Sequence, residues 1–152
     1  MVTAMMWWRT PVRRLLSEKD ESRVIAAIRA AERRTSGEIR VHVERRCTGS
    51  AIAAAGRWFR HLRMDATTER NGILFYVAVD DRAFAIVGGA GIHAKVGDAF
   101  WEVLRDAMRD AFVKGDPATG LTRAIDEAGL SLAEYFPRRA DDRNELRDEI
   151  SY

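Results

Sequence analysis

Two consecutive stretches of the sequence are apolar at nearly every position, and they limit the possible folds more than any other feature. They read NGILFYVAV at 71–79 and AFAIVG at 83–88. A strand that is apolar at successive positions buries both of its faces, so helices must cover the sheet above and below. Only the residues DDR separate the two stretches, which predicts a tight antiparallel hairpin.

The spacing of apolar residues predicts the other strand and the helices. GEIRVHVE at 37–44 alternates, which predicts a strand with one wetter face near a sheet edge. Because a helix separates it from the strand at 71–79, we expect these two strands to be parallel, with a right-handed crossover. Helical periodicity predicts four helices, at residues 18–34, 51–63, 97–113 and 118–133.

The predicted order of elements is therefore α-β-α-β-β-α-α. This order indicates an α/β protein, a three-layer α/β/α sandwich with a small mixed sheet. We predict an N-terminal arm at 1–17, one α/β domain at 18–137 and a polar C-terminal tail at 138–152. A chain of 152 residues is long enough for one such core.

Composition excludes several classes of protein and predicts a cytoplasmic location. The single Cys47 cannot form an internal disulfide, and no apolar run is long enough for a transmembrane segment. The first residues have no signal-peptide pattern. Arg and Lys outnumber Asp and Glu 14 to 6 within residues 1–63. They are spread along helices and a strand without a nucleic-acid motif, so we expect a solvated basic face and no nucleic-acid partner.

The glycine-rich turn after the second apolar stretch resembles a dinucleotide-binding motif. Read from Gly89, it is G-x-G-x-x-A, ending at Ala94. That motif needs a helix followed by a second parallel strand, but here the helix is followed by KGDPATG and another helix. We therefore interpret the turn as a strand exit and predict no nucleotide cofactor.

Adjacent carboxylates at the hairpin turn are the first candidate site. Asp80 and Asp81 lie between the two apolar strands, and a parallel neighbouring strand would end with Glu44 at the same edge. Clustered carboxylate oxygens suit Ca²⁺ or Mg²⁺. The alternative is turn chemistry alone, since Asp tolerates the backbone of tight turns.

The opposite sheet edge is a second candidate site. Glu38, Arg70 and Asn71 should meet there beside the glycine-rich turn at Gly88–Gly91. Glu38 is a candidate ligand or base, and the alternatives are that it pairs with Arg70 or begins its strand in water.

The remaining reactive or aromatic residues fit no recognised catalytic site. His42, His61 and His93 lie on three different elements without zinc-ligand spacing. The aromatic arm with Trp7 and Trp8 is a candidate contact for a protein partner.

Four segments, taken together, resemble the TPM-domain family, and in particular its short free-standing bacterial branch. They are AAERRTSGEIRVHVE, the long segment from RNGILFYVAV to VLRDAM, GLTRAIDEAGLSLAEYFP and DDRNELRDEISY. The resemblance implies an α/β/α sandwich, and relatives are associated with divalent cations and, in the thylakoid lumen, with acid phosphatase activity. Where the family usually has Gly-Asp after the last strand, this chain has Gly88 and Gly89, so the expected carboxylate is missing.

Two functions follow from these observations. The first is a weak Ca²⁺- or Mg²⁺-binding domain with phosphatase-like hydrolytic activity, in which the metal would polarise a phosphoryl oxygen. The second is an interaction module without turnover.

Overall fold

The computed structural model describes residues 2–6, 15–139 and 150–152, with the backbone alone for 2–6. The elements in these residues are β1 (Val2–Met6), α1 (Glu18–Glu32), β2 (Glu38–Glu44), α2 (Ala51–His61), a 3₁₀ turn (Met64–Ala66), β3 (Gly72–Ala78), β4 (Ala83–Gly88), α3 (Ala90–Val113), α4 (Pro117–Tyr135) and β5 (Ile150–Ser151).

The sheet is mixed, and its strands lie in the order β1-β4-β3-β2-β5. β3 and β4 form the expected antiparallel hairpin, with Ala78 opposite Ala83 next to the turn. β2 and β3 are parallel, with Glu38 opposite Gly72 and Glu44 opposite Ala78. The hairpin and the parallel pairing predicted from the sequence are both confirmed.

Two edge strands were not predicted. β1 pairs antiparallel with β4 at one edge, and β5 pairs parallel with β2 at the other. The first lies in the segment we assigned to an arm, and the second in the segment we assigned to a polar tail. β5 is only two residues long, which is too short for an alternating pattern to reveal it.

Helices cover both faces of the sheet, as two-sided burial of β3 and β4 requires. Alternate residues of each strand enter different cores, since successive side chains point to opposite faces. Ile73 and Phe75 of β3 belong to the core shared with α1, α3 and α4. Leu74 and Tyr76 belong to the core shared with α2 and the 3₁₀ turn. The structure is therefore the predicted three-layer sandwich.

The α2 side of β2 is not wet, which corrects the sequence prediction. Arg40 and His42 of β2 are only 7% and 1% exposed. The cover comes from α2, because the Trp58 ring stacks on the His42 ring. A polar alternation therefore marks buried polar groups here, a distinction that the pattern alone cannot make.

Local capping explains where the helices begin. The Ser17 and Ser50 hydroxyls accept hydrogen bonds from the first turns of α1 and α2, and Asp116 does the same for α4. α3 begins at Ala90, earlier than the predicted start at residue 97. Gly97 (φ 72°) lies inside this helix and kinks it.

None of the helices in the described ranges has the length and apolar character of a membrane-spanning segment.

The glycine turn lets the first residues of α3 lie directly against the backbone that precedes β3. The N–H of Gly91 donates to the Arg70 carbonyl at 2.9 Å. A Cβ at Gly91 would overlap the Glu69 carbonyl oxygen, and one at Gly89 would overlap that of Arg70. A Cβ at Gly88 would overlap the Trp101 ring. The glycines are thus explained by close backbone packing.

Substituting Gly91 tests this explanation. Gly91→Ala should lower the free energy of unfolding by about 2 kcal/mol, because backbone atoms must move to admit the methyl group. The matched control is Gly56→Ala within α2, where the nearest atom to an added Cβ is Arg60 Nη1 at 3.8 Å. Gly56→Ala should raise stability by about 0.5 kcal/mol or more through helix propensity. Urea unfolding measures both, and equal effects of the two substitutions would contradict the packing.

Candidate functional site

An open cleft lies beside α2 at the end of β2. Its volume is about 410 Å³, which is within the range of small-molecule sites. We call it the α2 cleft, and it is lined by Glu44, Thr48, Arg57, Trp58 and His61.

Sheet register and helix spacing bring these side chains together. Glu44 ends β2 on the same face as His42, two residues earlier. α2 packs across β3 and β4 on that face, and residues three and four apart on a helix are neighbours. Arg57 and His61, and Trp58 and His61, therefore share one side of α2.

Two hydrogen bonds hold the Glu44 carboxylate in place. Both reach the same oxygen, Oε2: Trp58 Nε1 donates at 2.9 Å, and the Tyr76 hydroxyl also donates. Burial and the bond to Glu44 raise the pKa of Tyr76 above its usual range. The phenol therefore stays protonated and remains a donor, so the carboxylate has a fixed position at the cleft.

His42 packs against Trp58, one of the residues that line the cleft. Its ring stacks on Trp58 with 3.7 Å between ring centroids, and its Nδ1 lies 2.7 Å from Ser151 Oγ. Burial lowers the pKa of His42 to about 4, and nearby Glu44 opposes this shift. At neutral pH the imidazole is therefore uncharged, as its buried position requires.

Most of the cleft residues were missed in the sequence. Glu44 was chosen, but as a partner of the hairpin aspartates. Tyr76 was counted among the apolar positions of its strand, and Trp58 was not singled out. The histidines were set aside because they lie on separate elements, yet His42 stacks on Trp58 and His61 meets the same ring edge-on at 5.1 Å. One sequence signal could have indicated these contacts: the polar residues that alternate along β2 lie beside Tyr76 on the parallel strand β3.

The two hairpin aspartates have separate partners. Asp80 forms ion pairs with Arg45 at 3.1 Å and with Arg46 at 3.9 Å. Asp81 accepts a hydrogen bond from the Cys47 N–H at 2.6 Å. Burial, together with the neighbouring Asp81, raises the pKa of the Cys47 thiol, so this thiol stays protonated at neutral pH.

The arrangement of these carboxylates does not by itself fit a cation. Across residues 15–139 and 150–152, no three or more His, Cys, Asp or Glu side chains are grouped to hold a metal ion. A cation would need Asp80 to leave its arginines, and Glu44 to approach from its bonds with Trp58 and Tyr76. Ca²⁺ or Mg²⁺ binding by Asp80, Asp81 and Glu44 therefore stays a prediction.

The second predicted site, at the opposite edge, is closely packed. Glu38 is 2% exposed, so the alternative that it begins β2 in water is wrong. Asn71 is equally buried and donates to Ser36 Oγ at 3.2 Å and to Glu69 Oε2 at 3.3 Å. The bond from Asn71 to Ser36 connects the loop before β3 with the loop before β2.

Arg70 joins the same edge through its backbone. Its carbonyl accepts hydrogen bonds from the N–H groups of Gly91 and Ile92, at 2.9 and 3.3 Å. In a dinucleotide site, N–H groups at this helix start would face the pyrophosphate. Here those N–H groups bond to the Arg70 carbonyl instead, and the absence of a nucleotide cofactor stays a prediction. The aromatic arm with Trp7 and Trp8 lies outside the described residues.

The buried imidazole predicts a loss of stability in acid. Folded His42 binds its proton more weakly than the unfolded chain does, so stability falls as pH drops from about 6.5 toward 4. The loss should approach about 3 kcal/mol. His42→Phe keeps a ring against Trp58 but has no titrating group. Urea unfolding between about pH 7 and pH 4.5 should show a smaller loss for this variant than for the parent. Equal losses would contradict a neutral, buried His42.

Comparisons with known proteins agree with this architecture. The family model of the TPM domain matches residues 12–130. The BA42 protein from the psychrophilic bacterium Bizionia argentinensis, solved by NMR, is 42% identical. That match covers 92% of this chain and 97% of the other, with a TM-score of 0.84.

A more distant structure shows the fold alone. It is the N-terminal domain of the cg2496 protein from Corynebacterium glutamicum, which is 17% identical with a TM-score of 0.56. That match covers 90% of this chain and 80% of the other. A search of curated proteins found no match. From the family model and the similarity to BA42, we conclude that this chain belongs to the TPM-domain family.

Proposed function

We propose that the chain binds a small phosphate ester in the α2 cleft and supports its phosphatase-like hydrolysis in the cytoplasm. One observation carries this proposal: a single open cleft combines a cationic side chain and an imidazole with a carboxylate in fixed position. The first two groups can bind phosphate oxygens, and the third can accept a proton from water.

Arg57 is the residue we propose for binding the phosphoryl group. Its Nη2 donates to the Thr48 carbonyl, and both residues line the cleft. A guanidinium has five N–H donors in a planar fork, so others are available to phosphate oxygens. His61, one helical turn further along α2, adds an imidazole at the same cleft.

Glu44 is the residue we propose for orienting the attacking water. Its Oε2 accepts both described hydrogen bonds, so the carboxylate has a single orientation from which Oε1 can accept a bond from water. In hydrolysis, the water oxygen attacks phosphorus and its proton passes to the Glu44 carboxylate. The ester P–O bond breaks with its electron pair on the leaving oxygen, which takes a proton from solvent, and the carboxylate then returns its own proton to solvent. Holding the reacting groups in this geometry is the main source of the proposed rate enhancement.

Weak Ca²⁺ or Mg²⁺ binding at the hairpin is a separate part of the proposal. It is supported by the way the turn is held beside the end of β2. Val79 N–H donates to the Glu44 carbonyl at 2.9 Å, and Asp80 N–H donates to the Arg45 carbonyl at 2.7 Å. Once Asp80 leaves its arginines, the two carboxylates would offer a hard cation their oxygens, with Glu44 as a third carboxylate at the same edge and a dissociation constant on the order of 10⁻⁴ M or weaker. The hydrolytic step is assigned to Glu44 without this cation.

Replacing Arg57 tests phosphate binding. Arg57→Gln should weaken the binding of inorganic phosphate about tenfold, because one charge-assisted contact is lost. The control is Arg60→Gln, which makes the same change on the same helix but outside the lining of the cleft. Isothermal titration at low salt measures both dissociation constants. Equal weakening by the two variants would show only a general charge effect and would contradict a site at Arg57.

Glu44→Gln tests the hydrolytic step. The amide keeps the shape of the side chain but cannot take a proton, so turnover of an aryl phosphate should fall about a hundredfold or more. Phosphate affinity should stay within about threefold of the parent value, because Arg57 is unchanged. If turnover by the purified chain is absent, or is unchanged in Glu44→Gln, the hydrolytic role fails and binding alone remains.

The cation site is tested by replacing both hairpin aspartates with Asn. This double substitution at Asp80 and Asp81 keeps turn-forming side chains but removes their charge. A cation that binds the folded chain raises its melting temperature by mass action. The parent should therefore show a rise with added Ca²⁺ or Mg²⁺ that the double variant loses. The same rise in both proteins would leave the aspartates with a turn role only.

A further inference from the structure

A series of side-chain contacts connects β5 with the α2 cleft. Ser151 Oγ lies 2.7 Å from His42 Nδ1, and the His42 ring stacks on Trp58. Trp58 in turn donates to Glu44 at 2.9 Å. The residue in β5 therefore reaches the carboxylate of the cleft through two intermediates, each in direct contact with the next.

The contact with Ser151 determines how the His42 ring is turned. His42 is 1% exposed, and its Nε2 has no hydrogen-bond partner among the described residues. A histidine ring can rotate about its χ2 bond over a broad range. Stacking on Trp58 restricts the plane of the ring, and the bond at Nδ1 selects which ring edge faces β5.

The short pairing of β5 places Ser151 at this point. Ser151 lies directly opposite His42 in the parallel register, and Ile150 lies opposite Val41. Because successive residues of a strand point to opposite faces, Ile150 enters the core with Val41 while Ser151 turns to the face of His42. Tyr152 adds a contact with Glu21 of α1 through its hydroxyl. Pairing of β5 with β2 therefore buries Ile150 in the core and places the Ser151 hydroxyl against His42.

We infer that Ser151 and His42 are positioning residues of the α2 cleft. Docking of β5 orients the His42 ring, which supports the Trp58 indole and through it the Glu44 carboxylate. The consequence for ligand affinity rests on the proposed function, whereas the structural coupling does not. If a phosphate ligand selects the same arrangement of the cleft, ligand binding and β5 docking stabilise each other by linkage.

Substitutions at Ser151 test the coupling with two independent readouts. Ser151→Ala removes the hydroxyl but keeps the backbone pairing of β5, and Ser151→Thr keeps a hydroxyl. The control Ser36→Ala removes a serine that donates to Glu69 at the opposite edge, at 2.7 Å. The first readout is the indole N–H resonance of Trp58 in the ¹H–¹⁵N NMR spectrum, assigned with Trp58→Phe. The second readout is the dissociation constant for inorganic phosphate.

We expect Ser151→Ala to shift the Trp58 indole resonance and to weaken phosphate binding about fivefold, the effect of one hydrogen bond. Ser151→Thr keeps a hydroxyl, so its indole resonance and phosphate affinity should stay close to those of the parent. Ser36→Ala should leave both readouts unchanged. An unmoved indole resonance in Ser151→Ala, or an equal shift in Ser36→Ala, would overturn the inference. If the parent fails to bind phosphate while Ser151→Ala still shifts the indole, the proposed function fails and the positioning role stands.

Discussion

Burial of both faces of the β3–β4 hairpin is the constraint on which the rest of the structure depends. The two strands are apolar throughout, so one helical layer must cover each face. α1, α3 and α4 cover one face, and α2 lies across β3 and β4 on the other. β2 pairs beside this hairpin, and its polar residues therefore point toward the α2 layer. Trp58 of α2 covers part of them by stacking on His42.

Several of the polar groups enclosed in this way have hydrogen-bond partners, and those partners hold the side chains of the cleft in place. An unsatisfied buried polar group costs about 1–3 kcal/mol. Glu44 meets the donors of Trp58 and Tyr76, and His42 meets Ser151. The hydrogen bonds that offset the desolvation cost of these groups also hold each side chain in one orientation. Arg57 and His61 then add the groups that we propose for binding an anion.

The layers of the fold could be predicted from the sequence because they depend on hydrophobic period. The apolar stretches at 71–79 and 83–88 were enough to predict the hairpin, and the strand at 37–44 to predict parallel pairing. β5 could not be predicted, because its pairing is decided by one buried isoleucine and one hydroxyl in a polar segment. The hydrogen-bond partners of Glu44 could not be predicted from the sequence either. They depend on where α2 crosses the sheet and on side-chain rotamers, which a spacing pattern does not contain.

The central claim is that the ligand site of this TPM-domain protein is the α2 cleft, and one measurement tests it most directly. Inorganic phosphate should be titrated into the ¹⁵N-labelled chain while the ¹H–¹⁵N NMR spectrum is recorded. We predict saturable shifts at Thr48, Arg57, His61 and the Trp58 indole N–H. The N–H groups of α3 that bond to Arg70 should not move. Shifts confined to those N–H groups of α3, or no saturable shift at the cleft, would contradict the claim.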